Sequence, residues 1–350
     1  MSNLLTDKRV LVTGGTGSLG QVLVRRLLEG ELGVPDAVTV FSRSEALQHE
    51  MRLAFQHRRV ATDDIVYEEG RHHRLAFMPG DIRDPDAVAK ALESADVVFH
   101  AAAMKQVPTC EYHPEEAFKT NVVGARNIVE AIATRRLAVE AVIGVSTDKA
   151  CKPVNVMGMT KALQERILLS APLRCDDTRF AIARYGNVLA SRGSVIPLFL
   201  DQIAGGGPVT ITTPEMTRFL MSLDEAVDTV FAAAKAAASG ETYIPRVPAA
   251  RIVDLASAMI GPRQIEIEQI GIRPGEKLHE VLISEEEAPR TLTRGEHLVI
   301  APVVPELRPA GAEGKPFGGR EYSSATDLLG PEAVRSLLDG HELLDAGPTS

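Results

Sequence analysis

Near its start the chain reads Val10-Leu11-Val12-Thr13-Gly14-Gly15-Thr16-Gly17-Ser18-Leu19-Gly20. An apolar, strand-like run enters a turn with glycine at every third position, and a helix-like stretch follows from Gln21. Glycine there permits a tight turn and close approach of backbone to a pyrophosphate, while the helix N-terminus offers oriented N–H groups. Gly14, Thr16, Gly17, Ser18, Leu19 and Gly20 are therefore candidate dinucleotide-binding residues. Such a loop works at the carboxyl edge of a parallel sheet, which restricts the fold to an α/β class.

The rest of the first half agrees. Arg9–Val12, Ala37–Phe41, Leu75–Met78, Val97–His100, Ala141–Val145 and Phe180–Ala183 read as strands. Gln21–Glu29, Glu45–Phe55, Pro85–Leu92, Pro114–Thr134 and Gly158–Leu169 read as helices between them. This alternation predicts a Rossmann-like, doubly wound parallel sheet with right-handed crossovers. Trp is absent and 45% of the 350 residues are apolar, so Val, Leu, Ile and Ala must build the core. That usage suits buried parallel strands.

From Gly186 the pattern loosens. Gly205-Gly206-Gly207-Pro208 signals a turn, Val209–Thr212 a strand, Asp224–Ala238 and Ile252–Ile260 helices, and Pro302–Gly319 an extended segment or loop. We expect residues 1–187 to form the dinucleotide-binding domain and residues 188–350 a smaller substrate-binding lobe, interwoven with the first.

The net charge of −9 argues against nucleic acid as a partner. Cys110, Cys151 and Cys175 have neither metal-type spacing nor an even disulfide count, so no metal is expected and a reducing cytoplasm is the simplest home. Met1–Arg9 lacks a signal-peptide layout, and no uncharged apolar run of about 18 residues appears, so no membrane span is expected.

At the second strand's tip Ser42 and Arg43 stand where an acidic residue would favour the ribose diol of NAD. Arg43 suits a 2′-phosphate, so NADP is the expected cofactor, with NAD the alternative. Arg43 could equally be a surface residue beside an N-cap serine. After the fifth strand, Ser146-Thr147-Asp148-Lys149 sets hydroxyls, a carboxylate and an amine at the ligand-binding edge. An acid beside a base can serve the two ends of an elimination, although an Asp-Lys pair alone is commonly a solvated ion pair.

Several ordered motifs carry a resemblance. They are Ala101–Pro108 with Cys110-Glu111, Lys119-Thr120-Asn121, Ser146–Ala150 and Pro153–Lys161. Farther on come Arg184–Val188, Ser191–Ser194, Met216–Phe219 and Arg273–Lys277. Over roughly residues 5–290 the chain resembles the UDP-N-acetylglucosamine 4,6-dehydratases of the extended short-chain dehydrogenase/reductase superfamily. Ordinary members of that superfamily carry Tyr-x-x-x-Lys on one helix face; here Met157 replaces the tyrosine, and a thioether cannot be its proton acceptor. In this resemblance, Met at this position is shared by membrane-anchored forms and by soluble forms that also invert C5; Cys110 and the lack of a membrane segment match the soluble branch.

The resemblance implies a set of roles. Lys161 would hold the nicotinamide ribose, Asp81 and Ile82 the adenine, and Ala101, Ala102, Ala103 and Ser146 would border the cofactor. Lys105, Asn187, Arg192, Arg218, Arg273 and Glu276 would meet a UDP-hexosamine such as UDP-N-acetylglucosamine. Lys149 would remove the C5 proton and Asp148 protonate the departing C6 hydroxyl. Asp148 could also receive the C4 hydroxyl proton, directly or through Thr147. A lysine base needs its pKa lowered toward ~7–8. Cys110 is either a buried small hydrophobe or a proton donor on the far face of the sugar. A homo-oligomer is implied as well. Competing expectations are a C5-retaining dehydratase, a UDP-sugar epimerase and a cofactor-binding regulator without turnover.

Overall fold

The computed structural model describes residues 3–55, 74–189, 194–308 and 314–344. The expected strands form with small shifts at their ends: β1 Arg9–Thr13, β2 Ala37–Ser42, β3 Leu75–Pro79, β4 Val97–His100, β5 Ala141–Thr147 and β6 Arg179–Tyr185. All are parallel, in the order β3-β2-β1-β4-β5-β6. The helices are α1 Ser18–Leu28, α2 Glu45–Phe55, α3 Pro85–Leu92, α4 Val107–Tyr112, α5 Pro114–Ala117, α6 Gly124–Arg135 and α7 Val156–Ser170. Then come α8 Val195–Ala204, α9 Leu223–Ala236, α10 Ile252–Ile260 and α11 Pro331–Gly340.

Alternation along each strand separates two cores. Val10, Val12, Phe99, Ile143 and Ala181 point to one face, against Leu23, Val24 and Leu27 of α1 and Val227 and Val230 of α9. Leu11, Val98, Val142, Phe180 and Ile182 point to the other, against α3, α6 and Leu168 of α7. A sheet covered on both faces is the doubly wound arrangement that the strand–helix alternation predicts. A third apolar cluster joins Ile196 and Phe199 of α8, Val209, Leu255 of α10 and Val334 of α11.

The structure adds three features to this reading. The sheet does not stop at six strands. Thr242–Pro245 adds in parallel beside β6, and His297–Ile300, Thr291–Arg294 and Lys315–Pro316 continue it antiparallel to ten strands. The chain after residue 188 thus contributes to the central sheet itself. The single helix expected over Pro114–Thr134 is broken by a wider π-type turn at Phe118–Val123, which buries Thr120 and Asn121. Pro302–Gly319, expected as an extended segment or loop, includes among its described residues a 3₁₀ turn at Pro305–Leu307 and the two-residue strand Lys315–Pro316.

One buried ion network ties the C-terminal half to the sheet. Arg184 on β6 donates to both oxygens of Glu165 on α7, at 2.9 and 2.6 Å, and to both oxygens of Glu287, at 2.8 and 2.9 Å. Burial alone would raise the Glu287 carboxyl, but Arg184 dominates and depresses it to about 2. A depressed carboxylate contributes stability above its unfolded pKa that is lost as pH falls through the folded value. Arg184→Met should therefore cost about 3–5 kcal/mol at neutral pH, because two carboxylates stay buried without their cation. Denaturant melts should also show the wild type losing most of that advantage between roughly pH 4.5 and 2.

Candidate functional site

The order of strands reverses between β1 and β4, and a cleft opens at their carboxyl ends, where doubly wound sheets bind ligands. It measures about 1050 Å³ and runs from the glycine loop past the tip of β5 to the segment around Arg273. Such a volume accommodates a large ligand.

Gly14 takes a φ of +70°, and a Cβ there would lie 2.7 Å from the backbone of Ala102. Only glycine lets the loop settle against the tip of β4. Gly17 caps α1 with no side-chain bond, and the first turn of α1 carries no acidic residue. Its N–H groups thus remain available to an anion. Thr16, Ser18, Leu19 and Gly20 line the same end, with Ser42 and Arg43 from the tip of β2. Ile82 lines it too, but Asp81 does not; the Asp81 carboxylate is bonded to Arg83 through Nε and Nη2. Ala101, Ala102 and Ala103 form the floor after β4, where Thr13 Oγ1 lies 2.8 Å from His100 Nδ1. Burial drives that imidazole down to about 3, so it stays neutral.

β5 ends in a single 3₁₀ turn, Asp148–Ala150, and this turn sets the central geometry. Thr147 Oγ1 donates to Asp148 Oδ1 at 2.9 Å, and Lys149 Nζ reaches the same oxygen at 3.0 Å. Gly158 explains how α7 packs behind it: a Cβ there would fall 2.2 Å from the Lys149 carbonyl oxygen. Asn155 caps α7 by accepting from the Gly158 N–H at 2.7 Å, and its amide donates to the Gly275 carbonyl at 2.7 Å. Asn121, turned inward by the π-type turn, bonds the backbone of Met104 through both its amide atoms and donates to Thr160 on α7. The loops after β4 and around Arg273 are thereby fastened to one helix.

Ser146, Thr147, Lys149, Met157 and Lys161 line the cleft, as do Lys105, Asn187, Arg218, Arg273 and Glu276. Arg192 lies outside the described residues. Asp148 is fully buried behind Thr147 and Lys149, and its Oδ2 has no hydrogen-bond partner. Cys110 sits off the cleft wall, fully buried with Ala117 and Met157, and burial pushes its thiol up to about 11. Lys161 Nζ donates to the Val145 carbonyl at 2.6 Å and to Gln164 Oε1 at 2.8 Å, and burial lowers it to about 8.

Burial lowers the amines of Lys161 and Lys277, whereas that of Lys149 is raised and not lowered. Burial works to lower the Lys149 ammonium, but Asp148 and Glu280 outweigh it and hold the amine above its usual value. Burial raises Asp148, Glu280 adds to the rise, and Lys149 opposes it without cancelling it. Among the described residues, no His, Cys, Asp and Glu cluster could hold a metal ion.

Residues 10–302 match the polysaccharide biosynthesis protein family. The chain belongs to that family. A protein of Rickettsia bellii (strain RML369-C) named UDP-glucose 4-epimerase is 41% identical over 97% of this chain and 91% of its own. A protein of Methanocaldococcus jannaschii named an uncharacterized membrane protein is 45% identical over 82% of this chain and 84% of its own. Among solved structures, Pen from Bacillus thuringiensis is 34% identical, with a TM-score of 0.85 over 97% of this chain and 99% of its own. A dTDP-glucose 4,6-dehydratase of Streptomyces venezuelae, solved with NAD and TYD bound, shares the fold at 22% identity and a TM-score of 0.63, covering 77% of this chain and 86% of its own. No helix among the described residues of this family member is long and apolar enough to cross a membrane.

Sequence reasoning missed one charged group at the centre of this family member's cleft. Glu280, only 2% exposed, lines it and places Oε1 3.0 Å from Lys149 Nζ. No local pattern announces it: Glu280 lies in an irregular segment after Arg273–Lys277. Tyr185 and Thr120 also line the cleft, and the buried Thr120 hydroxyl lacks a partner.

Proposed function

We propose that this protein is an NADP-dependent nucleotide-sugar 4,6-dehydratase. On this reading it converts UDP-N-acetylglucosamine to a 4-keto-6-deoxy product with inversion at C5. The observation that carries the proposal is the Asp148–Lys149 contact of 3.0 Å on the cleft that the glycine loop opens. The family's role in polysaccharide biosynthesis and the relatives named UDP-glucose 4-epimerase support a nucleotide-sugar substrate. The glycine loop with its uncapped helix fits a dinucleotide. Gly14, Thr16, Gly17, Ser18, Leu19 and Gly20 would hold its pyrophosphate, Ser42 and Arg43 its adenosine ribose, and Ser146 and Lys161 its nicotinamide end. When bound, that ring supplies hydride acceptance from C4 and return to C6.

The chain's own groups manage protons. Met157 cannot take the C4 hydroxyl proton. The Thr147-to-Asp148 hydrogen bond of 2.9 Å offers a relay instead, which favours the route through Thr147. Asp148, raised by burial, is then a suitable acid for the departing C6 hydroxyl. Lys149 Nζ is the group that takes the C5 proton, made acidic by the neighbouring ketone. Lys105, Asn187, Arg218, Arg273 and Glu276 line the part of the cleft that would receive the sugar and its diphosphate. Arg273 suits phosphate oxygens and Glu276 ribose hydroxyls.

A second reading, a UDP-sugar 4-epimerase without loss of water, is favoured by the names of the relatives. Incubation of the purified protein with UDP-N-acetylglucosamine, without added cofactor, separates the two. Mass spectrometry should show a loss of about 18 mass units, one water, with the cofactor recycled internally. An unchanged mass with an altered C4 signal by NMR would establish epimerisation.

Lys149→Ala should abolish solvent-deuterium exchange at C5 and lower turnover by about 100-fold or more. Wild-type exchange in this variant would remove Lys149 from the reaction. Arg43→Ala should weaken NADP by about tenfold or more, the worth of a charge-assisted contact, and leave NAD unchanged. Equal affinity of the wild type for both nucleotides by calorimetry would overturn the NADP assignment.

A further inference from the structure

Lys149 has two carboxylate neighbours, and only one belongs to its own turn. Nζ lies 3.0 Å from Asp148 Oδ1 and 3.0 Å from Glu280 Oε1. Both carboxylates are buried, and each has one oxygen, Asp148 Oδ2 and Glu280 Oε2, without a hydrogen-bond donor. Glu280 is also approached by Arg218 Nε at 3.9 Å and Lys277 Nζ at 3.8 Å. The backbone fixes it: the Glu280 N–H donates to Ser324 Oγ at 2.9 Å, and the Ser324 N–H donates to the Glu280 carbonyl at 2.8 Å. Lys277 is tied in turn to the Cys151 carbonyl at 2.6 Å. A carboxylate held this firmly beside an ammonium, inside a cleft, is not a solvated ion pair.

Proton counting gives it a task. If Asp148 receives the C4 hydroxyl proton through Thr147, it cannot also accept the proton that Lys149 must lose before attacking C5. Once Asp148 is neutral, three cations, Lys149, Arg218 and Lys277, face a single anion, Glu280. With Asp148 charged, the ion pairs outweigh burial: the Lys149 amine is held above its usual value and the Glu280 carboxyl below its own. Neutralising Asp148 removes the largest influence that raises Lys149, while Arg218 and Lys277 still favour the Glu280 anion, so the transfer is uphill and is drawn forward by removal of the C5 proton.

We propose that Glu280 is the positioning residue that frees Lys149: it takes the ammonium proton across the 3.0 Å contact after Asp148 has been neutralised. In this step one N–H bond of Lys149 breaks and one O–H bond of Glu280 forms. An ion pair becomes a neutral amine and a neutral acid, and no other reactant is needed. The amine then removes the C5 proton, while Asp148 delivers its proton to the C6 hydroxyl. The inference rests on the dehydratase reading and deepens it.

The test uses the holoenzyme with UDP-N-acetylglucosamine. It follows C4 oxidation by absorbance of the reduced nicotinamide in a single turnover, and C5 by solvent-deuterium exchange. Glu280→Gln should retain C4 oxidation within a fewfold but lose C5 exchange by at least tenfold. The lost exchange should return as pH rises, because hydroxide and buffer replace the missing acceptor. Glu280→Asp, which keeps an acceptor, should restore part of it at neutral pH. Equal loss of both steps in Glu280→Gln, or wild-type exchange with an unmoved pH profile, would overturn the inference and leave the dehydratase reading standing. A wild type that neither reduces its cofactor nor loses water would bring down both. Should Glu280→Gln not fold, Glu280→Asp decides: C5 exchange reduced with C4 oxidation intact supports the inference, and parallel loss of the two overturns it.

Discussion

The ammonium of Lys149, held between two buried carboxylates, is the interaction on which the chemistry of this cleft depends. Opposite charges about 4 Å apart attract by roughly 4 kcal/mol at the effective dielectric of a protein surface, and more as water is excluded. Withdrawing the ammonium would leave two buried carboxylates facing each other without the cation between them. The fold supplies each group from a different direction. Asp148 and Lys149 come from the tip of β5, and Glu280 comes from the segment that follows Arg273. The ten-stranded sheet and the Arg184 network hold those two regions in register. Stability and function are linked here through the placement of charge.

The replacement of tyrosine by Met157 becomes intelligible in this setting. Met157 packs with Cys110 and Ala117 and closes the wall of the cleft without offering a proton acceptor. On the dehydratase reading, a hydroxyl there would compete for the C4 proton. Its absence leaves the Thr147–Asp148 bond as the described route from the cleft into the charged cluster. Cys110 packs behind Met157, off the cleft lining, and burial pushes its thiol up to about 11.

Much of the fold was legible because its central strands are buried on both faces. A continuous run of Val, Leu and Ile four to seven residues long, followed by a glycine turn and an amphipathic stretch, has few other solutions. The sheet's extension was not legible for the opposite reason. Thr242–Pro245 is four residues long and carries a proline, and the hairpin from Thr291 to Ile300 alternates only weakly. Gly295, with a φ of +57°, begins the two-residue connection of that hairpin, a signal that was present but unread. The π-type turn at Phe118–Val123 has no breaker residue to announce it. It arises because Asn121 bonds the Met104 backbone, a contact set by tertiary structure.

The site was legible to the same degree and failed at the same boundary. The glycine loop and the Asp148–Lys149 pair are local in sequence, so their chemistry can be read from adjacent residues. Glu280 is not local. Its importance comes from crossing the cleft to a lysine on another segment, and an isolated Glu in Leu278-His279-Glu280-Val281 carries no mark of that. The protonation of Lys149 could not be read for a related reason. Asp148 beside it already argues for a raised amine, while a base role demands a lowered one. Only the second carboxylate and the two flanking cations turn that conflict into a sequence of proton transfers. On the dehydratase reading, the pair alone therefore gives a base without the acceptor that would let it act.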